Sequence, residues 1–410
     1  MLQGFVDFLA IFRYYLHNMK NFFILGNHPD ISRAELESVN RRDELGFTFL
    51  HVSPAVAFFD YDSGHSADPK ALMATLAGVI KVGIIVDEVK AIDDIPAVAL
   101  ALMPQSEHKV FLGISSYDAG ASVSDARKKE KEIGMAIKEL ARRDGMSLRF
   151  VTSREQTLSS VVVSKNHLLD KGVEIVILKT KQSFLIGTTQ AVQEFEEYGD
   201  RDFARPARDA LSGMLPPKLA HIMVNLSECP YNKTILDPFC GSGTILQEAL
   251  MLGYTHVIGT DTSFKAVNDT QKNIEWIQRE KKIDTTAVRV VQSDILDISS
   301  LKLRGIHAVV TEPYLGPPLK GRESKQDVAK IYRALDELYA SAIERIGTMI
   351  EKNGTVVWIL PELFGNAFDW PLFWRAIEVC GFAYTSLNSM KYHRNNQYLA
   401  RIICVFTKTL

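Results

Sequence analysis

The stretch TILDPFCGSGTILQEALM, residues 234–251, decides the fold of this chain. Its first four residues predict the end of a buried strand, which Asp237 and the proline after it bring to a stop. Gly241 and Gly243 follow, and apolar residues then recur at helical spacing from Ile245 onward. The amino end of a helix presents unpaired N–H groups and partial positive charge. The stretch therefore predicts a binding site for a carboxylate, a ribose or a phosphate.

Three cofactors use a glycine-rich turn of this kind, and the sequence separates them. A mononucleotide P-loop needs a lysine after its last glycine, where this chain has Thr244. A dinucleotide fingerprint needs a third glycine where Leu246 stands. The carboxylate of Asp237 can instead bind the ammonium of an amino-acid moiety, and Asp261 ends the next apolar run, where ribose hydroxyls would lie. The two acids predict S-adenosylmethionine, although a glycine-rich turn can also close a strand and helix without any ligand.

The predicted cofactor site also includes an acid after the third apolar run of this half. Asp294 follows residues 288–291, where a carboxylate can accept a hydrogen bond from the adenine amine; a surface acid is the alternative. All the candidates lie at the predicted carboxyl edge of a parallel sheet, the usual ligand edge of such sheets. The candidate cofactor-binding residues are Asp237, Phe239, Gly241, Ser242, Gly243, Thr244, Asp261 and Asp294.

Length and composition limit the classes of protein. The 410 residues exceed one typical domain. With 47 Lys and Arg against 49 Asp and Glu, the formal charge is −2, so any RNA site must be a local basic patch. The 4 cysteines are far apart and form no CxxC pair, which argues against a metal site and against a disulfide scaffold. We expect no metal and a cytoplasmic location.

The chain begins with an aromatic and aliphatic run, residues 1–18. The run is too short to span a bilayer, which takes about 20 apolar residues, and it lacks the features of a signal peptide. We interpret it as an amphipathic extension or a misplaced start, because Met19 opens a well-patterned segment. No membrane contact is expected.

The hydrophobic pattern divides the chain into two halves. The first half has apolar runs separated by helical stretches, which predicts an α+β arrangement of small sheets. Asp30 or Ser32 is expected to cap the first helix, with Glu35 in capping-box position to Ser32. In the second half strands and helices alternate, which predicts an α/β fold with a doubly wound, Rossmann-like sheet. The predicted regions are an α+β recognition region at 19–190, a linker rich in Arg, Asp, Gly and Pro at 191–217, and the catalytic domain at 218–410.

The first half contains a basic segment, residues 125–154, with Arg and Lys at nine positions. One interpretation is a solvated helix face, because Glu130, Glu132 and Glu139 are interleaved and can pair with the cations. Two further stretches, 158–178 and 183–189, favour the other interpretation, an RNA-binding surface. Together with the basic segment they resemble a THUMP domain, a ferredoxin-like RNA-binding module of tRNA-modifying enzymes.

A second motif, VVTEPYLGPP at 309–318, suits the methylation of an exocyclic amine. The lone pair of such an amine is delocalised into the base, so rigid acceptors must draw on its N–H groups as the methyl arrives. Glu312 offers a carboxylate, Pro313 holds the loop and frees its carbonyls, and Tyr314 offers a flat face to an extruded base. These residues and Thr311 are the candidate catalytic residues.

Three motifs in this order, DPFCGSGT, RPARDALSGMLPPKLAHIMVNL and TEPYLG, resemble those of the tRNA guanine-N2 methyltransferases that modify position ten. The resemblance implies a class I methyltransferase domain, S-adenosylmethionine and a tRNA guanosine amine. That family usually has Asp-Pro-Pro-Tyr, so TEPY leaves two alignments, with Thr311 or Glu312 at the aspartate position. We favour Glu312 on chemical grounds.

Two rival functions remain open at this point. The first is a DNA methyltransferase acting on adenine or cytosine amines, since the same acceptors serve those bases. The second is a catalytically inactive RNA-binding homologue, motivated by the altered TEPY motif. An activating protein subunit is possible, but no motif indicates one.

Overall fold

The structure is a computed structural model that describes residues 21–208, 214–384, 390–394 and 397–410. This part of the chain forms two compact units. The first contains the described residues up to Arg33 together with Glu44–Phe195, and the second contains Ala34–Asp43 and Glu196–Leu410. The predicted extension at 1–18 lies outside the described residues, as do residues 209–213 of the RPARDALSGMLPPKLAHIMVNL motif.

In the described residues, the first unit is built around a sheet of eight strands. The strands are β1 (Asn21–Leu25), β2 (Phe47–Val52), β3 (Val56–Tyr61), β4 (Val79–Val89), β5 (Val110–Asp118), β6 (Leu148–Phe150), β7 (Gly172–Lys179) and β8 (Phe184–Val192). Their order is β2-β3-β1-β4-β8-β7-β5-β6, and β5 is parallel to β6 and β7. The predicted α+β arrangement is found, whereas its likeness to a THUMP domain stays a prediction.

The helices up to β8 are α1 (Pro29–Arg42), α2 (Pro69–Thr75), α3 (Ile95–Ala101), α4 (Ser124–Arg143) and α5 (Ser160–Lys165). The predicted capping box at the start of α1 is wrong. The helix begins at Pro29, whose fixed φ suits a first helical turn, and Ser32 is buried within it. The Ser32 hydroxyl donates to the Gly78 carbonyl at 2.6 Å, because a buried hydroxyl needs a partner.

The apolar face of α4 explains why most of its cations are exposed. The buried residues recur at helical spacing and include Ala126, Ile133, Ile137 and Ala141. The basic residues of 125–154 are exposed except Arg127, which is half-buried and donates to the Ser116 carbonyl at 3.0 Å. Glu139 accepts from Arg142 at 2.9 Å, so part of this face consists of solvated ion pairs.

The sheet of the second unit positions the candidate site. Its strands are β9 (Thr234–Asp237), β10 (Val257–Asp261), β11 (Arg289–Gln292), β12 (Ile306–Thr311), β13 (Ile350–Leu363), β14 (Phe382–Tyr384), β15 (Met390–Tyr392) and β16 (Leu399–Lys408). The order is β11-β10-β9-β12-β13-β16-β14, and β15 also pairs with β16. Strands β9 to β13 are parallel, and β16 is antiparallel to its neighbours. The connections reverse direction between β9 and β12, where doubly wound sheets bind their ligands.

The remaining helices are α6 (Phe195–Phe203), α7 (Pro217–Leu226), α8 (Thr244–Met251), α9 (Phe264–Lys281), α10 (Lys325–Met349) and α11 (Pro371–Val379). Aromatic side chains pack α10 and α11 onto β13: Tyr339, Phe373 and Trp358 are fully buried, and the Tyr339 and Trp358 ring centres are 5.3 Å apart. The doubly wound fold class is confirmed. None of the helices described is both long and apolar enough to cross a bilayer.

The stretch predicted as a linker, 191–217, is more ordered in its described part than its composition indicates. It contains α6, and Arg201 of that helix is buried, with its Nε donating to Glu248 Oε1 at 2.7 Å. Glu248 also lies 3.1 Å from Nδ1 of buried His221. Buried charges persist where they are paired, so this cluster attaches α6 to the helices of the second unit. The predicted domain limits stay predictions.

Candidate cofactor and substrate site

The turn between β9 and α8 has the backbone that only glycine adopts readily. Gly241 and Gly243 have φ values of 53° and 81°, in the left-handed region. A Cβ on Gly243 would lie 2.7 Å from Cγ2 of Thr270, whereas one on Gly241 would meet open space. Glycine at 243 is therefore required by both conformation and space, and it brings the backbone close to α9.

Side chains of α9 hold this turn in place. The Thr270 hydroxyl donates to the Gly241 carbonyl at 2.7 Å, and Nδ2 of Asn273 donates to the Ser242 carbonyl at 2.8 Å. Both helix residues are fully buried. Sequence analysis missed them, although their spacing of three residues puts them on one helix face. The turn is consequently a preorganised cradle with its carbonyls already occupied.

Asp261, at the end of β10, is bound to the same turn. Its Oδ2 accepts from the Gly241 N–H at 3.0 Å, and its Oδ1 accepts from the Ser263 N–H at 2.8 Å. Each oxygen of an ionised carboxylate can accept more than one hydrogen bond. Asp261 can therefore orient the glycine turn and still accept hydrogen bonds from the hydroxyls of a ribose.

Asp237 is a buried carboxylate at the end of β9, with 2% of its surface exposed. Its Oδ1 accepts from the Thr311 hydroxyl at 2.7 Å and from the Phe239 N–H at 3.1 Å. Burial raises the pKa of Asp237 to about 7, and the negative charges of Asp261 and Glu312 add to the effect. Among the residues described, no cation forms an ion pair with it. A cationic ligand would supply the missing countercharge.

Glu312 does not have the free carboxylate that the sequence suggested. Nε of Arg401 donates to Glu312 Oε1 at 2.5 Å, and the two side chains are only 7% and 15% exposed for Arg401 and Glu312. Burial raises the pKa of Glu312, against which the Arg401 charge and hydrogen bond act. An ion pair therefore fixes this carboxylate in place.

Thr311 and Tyr314 differ in exposure. Thr311 is fully buried and its hydroxyl is committed to Asp237, so it faces the cofactor motif. The Tyr314 ring is 55% exposed, as a stacking surface requires. Its carbonyl is not free, because the hydroxyl of buried Tyr339 donates to it at 2.7 Å. The loop is thus held by α10 as well as by Pro313.

One cavity of about 740 Å³ brings most of the predicted residues together. All of the candidate residues line it except Gly243 and Thr311. Asp294 lines it while its carboxylate accepts from the Leu296 N–H at 2.9 Å. This volume lies within the range of about 300–1,000 Å³ typical of small-molecule sites.

Further residues of the cavity were missed. They include Met214, Leu215, Ser263, Lys265, Asp269 and Ile295. For Ser263, Lys265 and Asp269, the only available signal was their position in the sequence after β10. Over the described residues, no group of three His, Cys, Asp or Glu side chains has the arrangement of a metal site. Cys240 is buried beneath the turn, and burial raises the pKa of its thiol, so a thiolate role has no support.

Comparison with known proteins bears on this half of the chain. The UPF0020 family model, an RMKL-like methyltransferase domain, matches residues 205–362. The second unit therefore contains a methyltransferase domain. The Thermus thermophilus TrmN crystal structure has a TM-score of 0.58 to this chain at 16% identity, covering 95% of this chain and 99% of that one. At that identity the likeness shows the fold alone, and the fold it shows is the predicted one.

Curated relatives extend the match beyond the methyltransferase domain. The tRNA (guanine(10)-N2)-dimethyltransferase of Methanothermobacter thermautotrophicus is 27% identical over 320 residues, which are 77% of this chain and 83% of that protein. The protein of the same name from Methanocaldococcus jannaschii is 27% identical over 244 residues, 58% of this chain and 57% of that one. These relatives confirm the resemblance to tRNA guanine-N2 methyltransferases that the three motifs indicated.

Proposed function

We propose that this chain transfers a methyl group from S-adenosylmethionine to the N2 amine of a guanosine in tRNA. The observation that carries the proposal is a single cavity lined both by the acids of the cofactor motif, Asp237 and Asp261, and by Glu312 and Tyr314 of the second motif. The residues for the methyl donor and those for the methyl acceptor thus line the same cavity. The names of the curated relatives support guanine N2 in tRNA over a base in DNA.

The residues of the cavity fit S-adenosylmethionine. Asp237, buried and without a cation in the described structure, suits the ammonium group, and Asp261 suits the ribose hydroxyls. Asp294 suits the adenine amine, and buried Ile295 beside it offers an apolar surface to the ring. When bound, this cofactor supplies an electrophilic methyl group. The glycine turn keeps side chains out of the space where the backbone must approach the cofactor.

The second motif suits a base that has been turned out of its stack. Tyr314 offers an exposed ring on which the base can stack, and Tyr339 and Pro313 fix the backbone of that residue. The Glu312 carboxylate accepts a hydrogen bond from the amine as the nitrogen lone pair turns toward the methyl group. Fixed acceptors of this kind favour the transition state, because they need no rearrangement during the reaction.

We assign most of the RNA affinity to the first unit. The exposed cations of 125–154 form a local basic surface on a chain whose formal charge is −2. The segment 158–178, which contributes α5 and β7, extends the THUMP-like pattern. Phosphate contacts from such a surface position an RNA without recognising its sequence.

Methyl transfer to bulk tRNA tests the proposal. The purified protein is incubated with isotope-labelled S-adenosylmethionine and tRNA, and the nucleosides are identified by mass spectrometry. N2-methylguanosine or N2,N2-dimethylguanosine is the expected product. The size-matched Asp237→Asn variant should bind the cofactor weakly and therefore lose most of the methyl transfer. A methylated adenine or cytosine amine in DNA would favour the first rival function. Cofactor binding without transfer to any nucleic acid would favour the inactive homologue.

A further inference from the structure

The ion pair between Glu312 and Arg401 connects two strands that are not neighbours. Glu312 directly follows β12, whereas Arg401 lies in β16, and β13 separates these strands in the sheet. The Arg401 backbone is paired with Pro361 inside β13, so its side chain must cross that strand to reach Glu312 Oε1. Both side chains are largely buried, so the ion pair is held in a fixed geometry.

The second oxygen of the same carboxylate is available. In the part of the chain that the structure describes, no hydrogen bond ends on Glu312 Oε2, and Glu312 lines the cavity. Arg401 thus occupies one lone pair of one oxygen and leaves the remaining acceptor positions of the carboxylate toward the space where the base would bind.

We propose that Arg401 is a positioning residue that fixes Glu312 so that its carboxylate recognises the Watson–Crick edge of guanine. This inference rests on the proposed function. Guanine presents two adjacent donors on that edge, N1–H and the N2 amine, and a carboxylate is an acceptor only. Adenine and cytosine each place a ring acceptor beside their amine. A fixed carboxylate therefore faces two donors on guanine. On adenine or cytosine it faces one donor, the amine, and beside it a ring nitrogen whose lone pair repels it.

This arrangement makes Glu312 a residue of specificity as well as of methyl transfer. A substrate that leaves the buried polar groups of a site without partners is rejected strongly. An apolar pocket discriminates between similar substrates far less. The discrimination requires that the carboxylate stay ionised, because a protonated carboxyl could donate to the ring nitrogen of adenine. Arg401 favours the ionised form, whereas burial and the nearby Asp237 carboxylate oppose it. The hydroxyl of Tyr339, on α10, is a further titratable group that interacts with Glu312 among the described residues.

The test compares guanine with 2-aminopurine, which keeps the amine but has an acceptor at N1. Transcripts of the tRNA that wild type methylates carry one or the other base at the methylated position. Wild type should strongly prefer guanine, and in Glu312→Gln, whose amide can donate to N1, the ratio of the two kcat/KM values should fall at least tenfold. Arg401→Met should lower kcat/KM for guanine by roughly a hundredfold, since it leaves a buried carboxylate unpaired, and Arg401→Lys should recover part of the loss.

Two measurements separate positioning from a general structural defect. In Arg401→Met the acid limb of the pH–rate profile should move to higher pH, while the affinity for S-adenosylmethionine should stay within threefold of wild type. The control is Lys233→Gln, which breaks the ion pair between Lys233 and Glu351. This pair lies at the amino ends of β9 and β13, away from the cavity. It should change neither the profile nor the base ratio.

The outcomes that overturn the inference are distinct from those that overturn the function. An Arg401→Met enzyme with wild-type turnover and an unshifted profile would refute positioning, and an unchanged base ratio in Glu312→Gln would refute edge recognition. In both cases wild-type methylation of guanine N2 would leave the proposed function intact. A wild type that methylates no guanine amine would overturn both.

Discussion

The hydroxyl of Thr311 donates to Oδ1 of Asp237 at 2.7 Å, and this hydrogen bond joins the ends of the two central strands, β12 and β9. It connects the motif of the methyl acceptor to the motif of the cofactor. In an ungapped alignment with Asp-Pro-Pro-Tyr, Thr311 takes the aspartate position. A carboxylate there would face Asp237, whose pKa is already raised to about 7. Because two carboxylates in contact resist ionisation, threonine at 311 is compatible with a carboxylate moved to Glu312.

We expect Thr311→Val to weaken cofactor binding. The substitution keeps the shape but removes the donor from Asp237, so the pKa of Asp237 should rise and less of it be ionised at neutral pH. A lost hydrogen bond of about 1 kcal/mol corresponds to roughly a fivefold loss of affinity by calorimetry at pH 7. Thr355→Val, in β13 and outside the cavity lining, is the control and should bind as wild type does. Equal affinities of the two variants would show that the hydroxyl has no role.

Cofactor affinity should depend on pH through Asp237. Its pKa of about 7 means that at lower pH the free protein must release a proton before the carboxylate can pair with an ammonium group. Affinity should therefore fall roughly tenfold between pH 8 and pH 6 and change little above pH 8. Calorimetry in two buffers of different ionisation enthalpy should detect proton release at pH 6. Asp237→Asn should bind weakly with no such release; a release equal to wild type would assign the titration to another group.

The same carboxyl group should affect the stability of the unliganded protein. The pKa of Asp237 is higher in the folded state than its ordinary value of 3.8, so protonation favours the folded state. This contribution is fully present below about pH 4 and is lost as the pH rises through 7. Saturating cofactor should cancel this loss between about pH 4 and pH 7, because an ammonium group keeps Asp237 ionised over that range; thermal unfolding with and without the cofactor measures both trends.

The local part of the site was predictable from sequence because its signals are contiguous. Asp237, the glycines of the turn and the helix after them lie within a few residues, and each reflects a backbone requirement that only certain residue types meet. The alternation of strands and helices likewise fixed the doubly wound sheet. Asp261 and Asp294 followed, because each ends or follows a strand of that sheet and carboxyl ends meet at one edge.

The partners of these residues were not predictable, because nothing in a periodic pattern pairs distant side chains. Arg401 is 89 positions from Glu312, and Asn273 is 31 positions from the Ser242 carbonyl that it holds. The order within the stretch predicted as a linker was not predictable for the same reason. A segment rich in Arg and Asp resembles a solvated loop until Glu248, 47 positions away, is seen to bind Arg201 in the core.

Asp261→Ala should lower the affinity for S-adenosylmethionine by roughly ten- to hundredfold. A charge-assisted hydrogen bond of about 1.5–3 kcal/mol to the ribose would be lost, together with the anchor of the Gly241 N–H. Asp261→Asn keeps the size and one acceptor and should lose less. Calorimetry that gives wild-type affinity for the alanine variant would remove the ribose assignment.

Exposed lysines of α4 should supply RNA affinity. Replacing Lys128, Lys131 and Lys138 by glutamine should weaken tRNA binding and lower the slope of log affinity against log salt by about 2 to 3, since each phosphate contact adds about 0.7–0.9. The control variant replaces exposed lysines of the second unit, Lys272, Lys330 and Lys352, and should keep the slope. If both triple variants changed the slope equally, the first unit would not be the principal RNA-binding surface.

Tyr314 and Tyr339 should separate base stacking from loop geometry. Tyr314→Ala removes the exposed ring, so a stacking contribution of about 1–3 kcal/mol should disappear and KM for tRNA should rise, with Tyr314→Phe close to wild type. Tyr339→Phe keeps the packing against Trp358 but removes the 2.7 Å hydrogen bond to the Tyr314 carbonyl, so kcat should fall while KM changes little. Steady-state kinetics with the same tRNA measure both effects. A loss of kcat alone in Tyr314→Ala would place its ring in the transition state and not in base binding, because uniform stacking affects the ground state and the transition state equally.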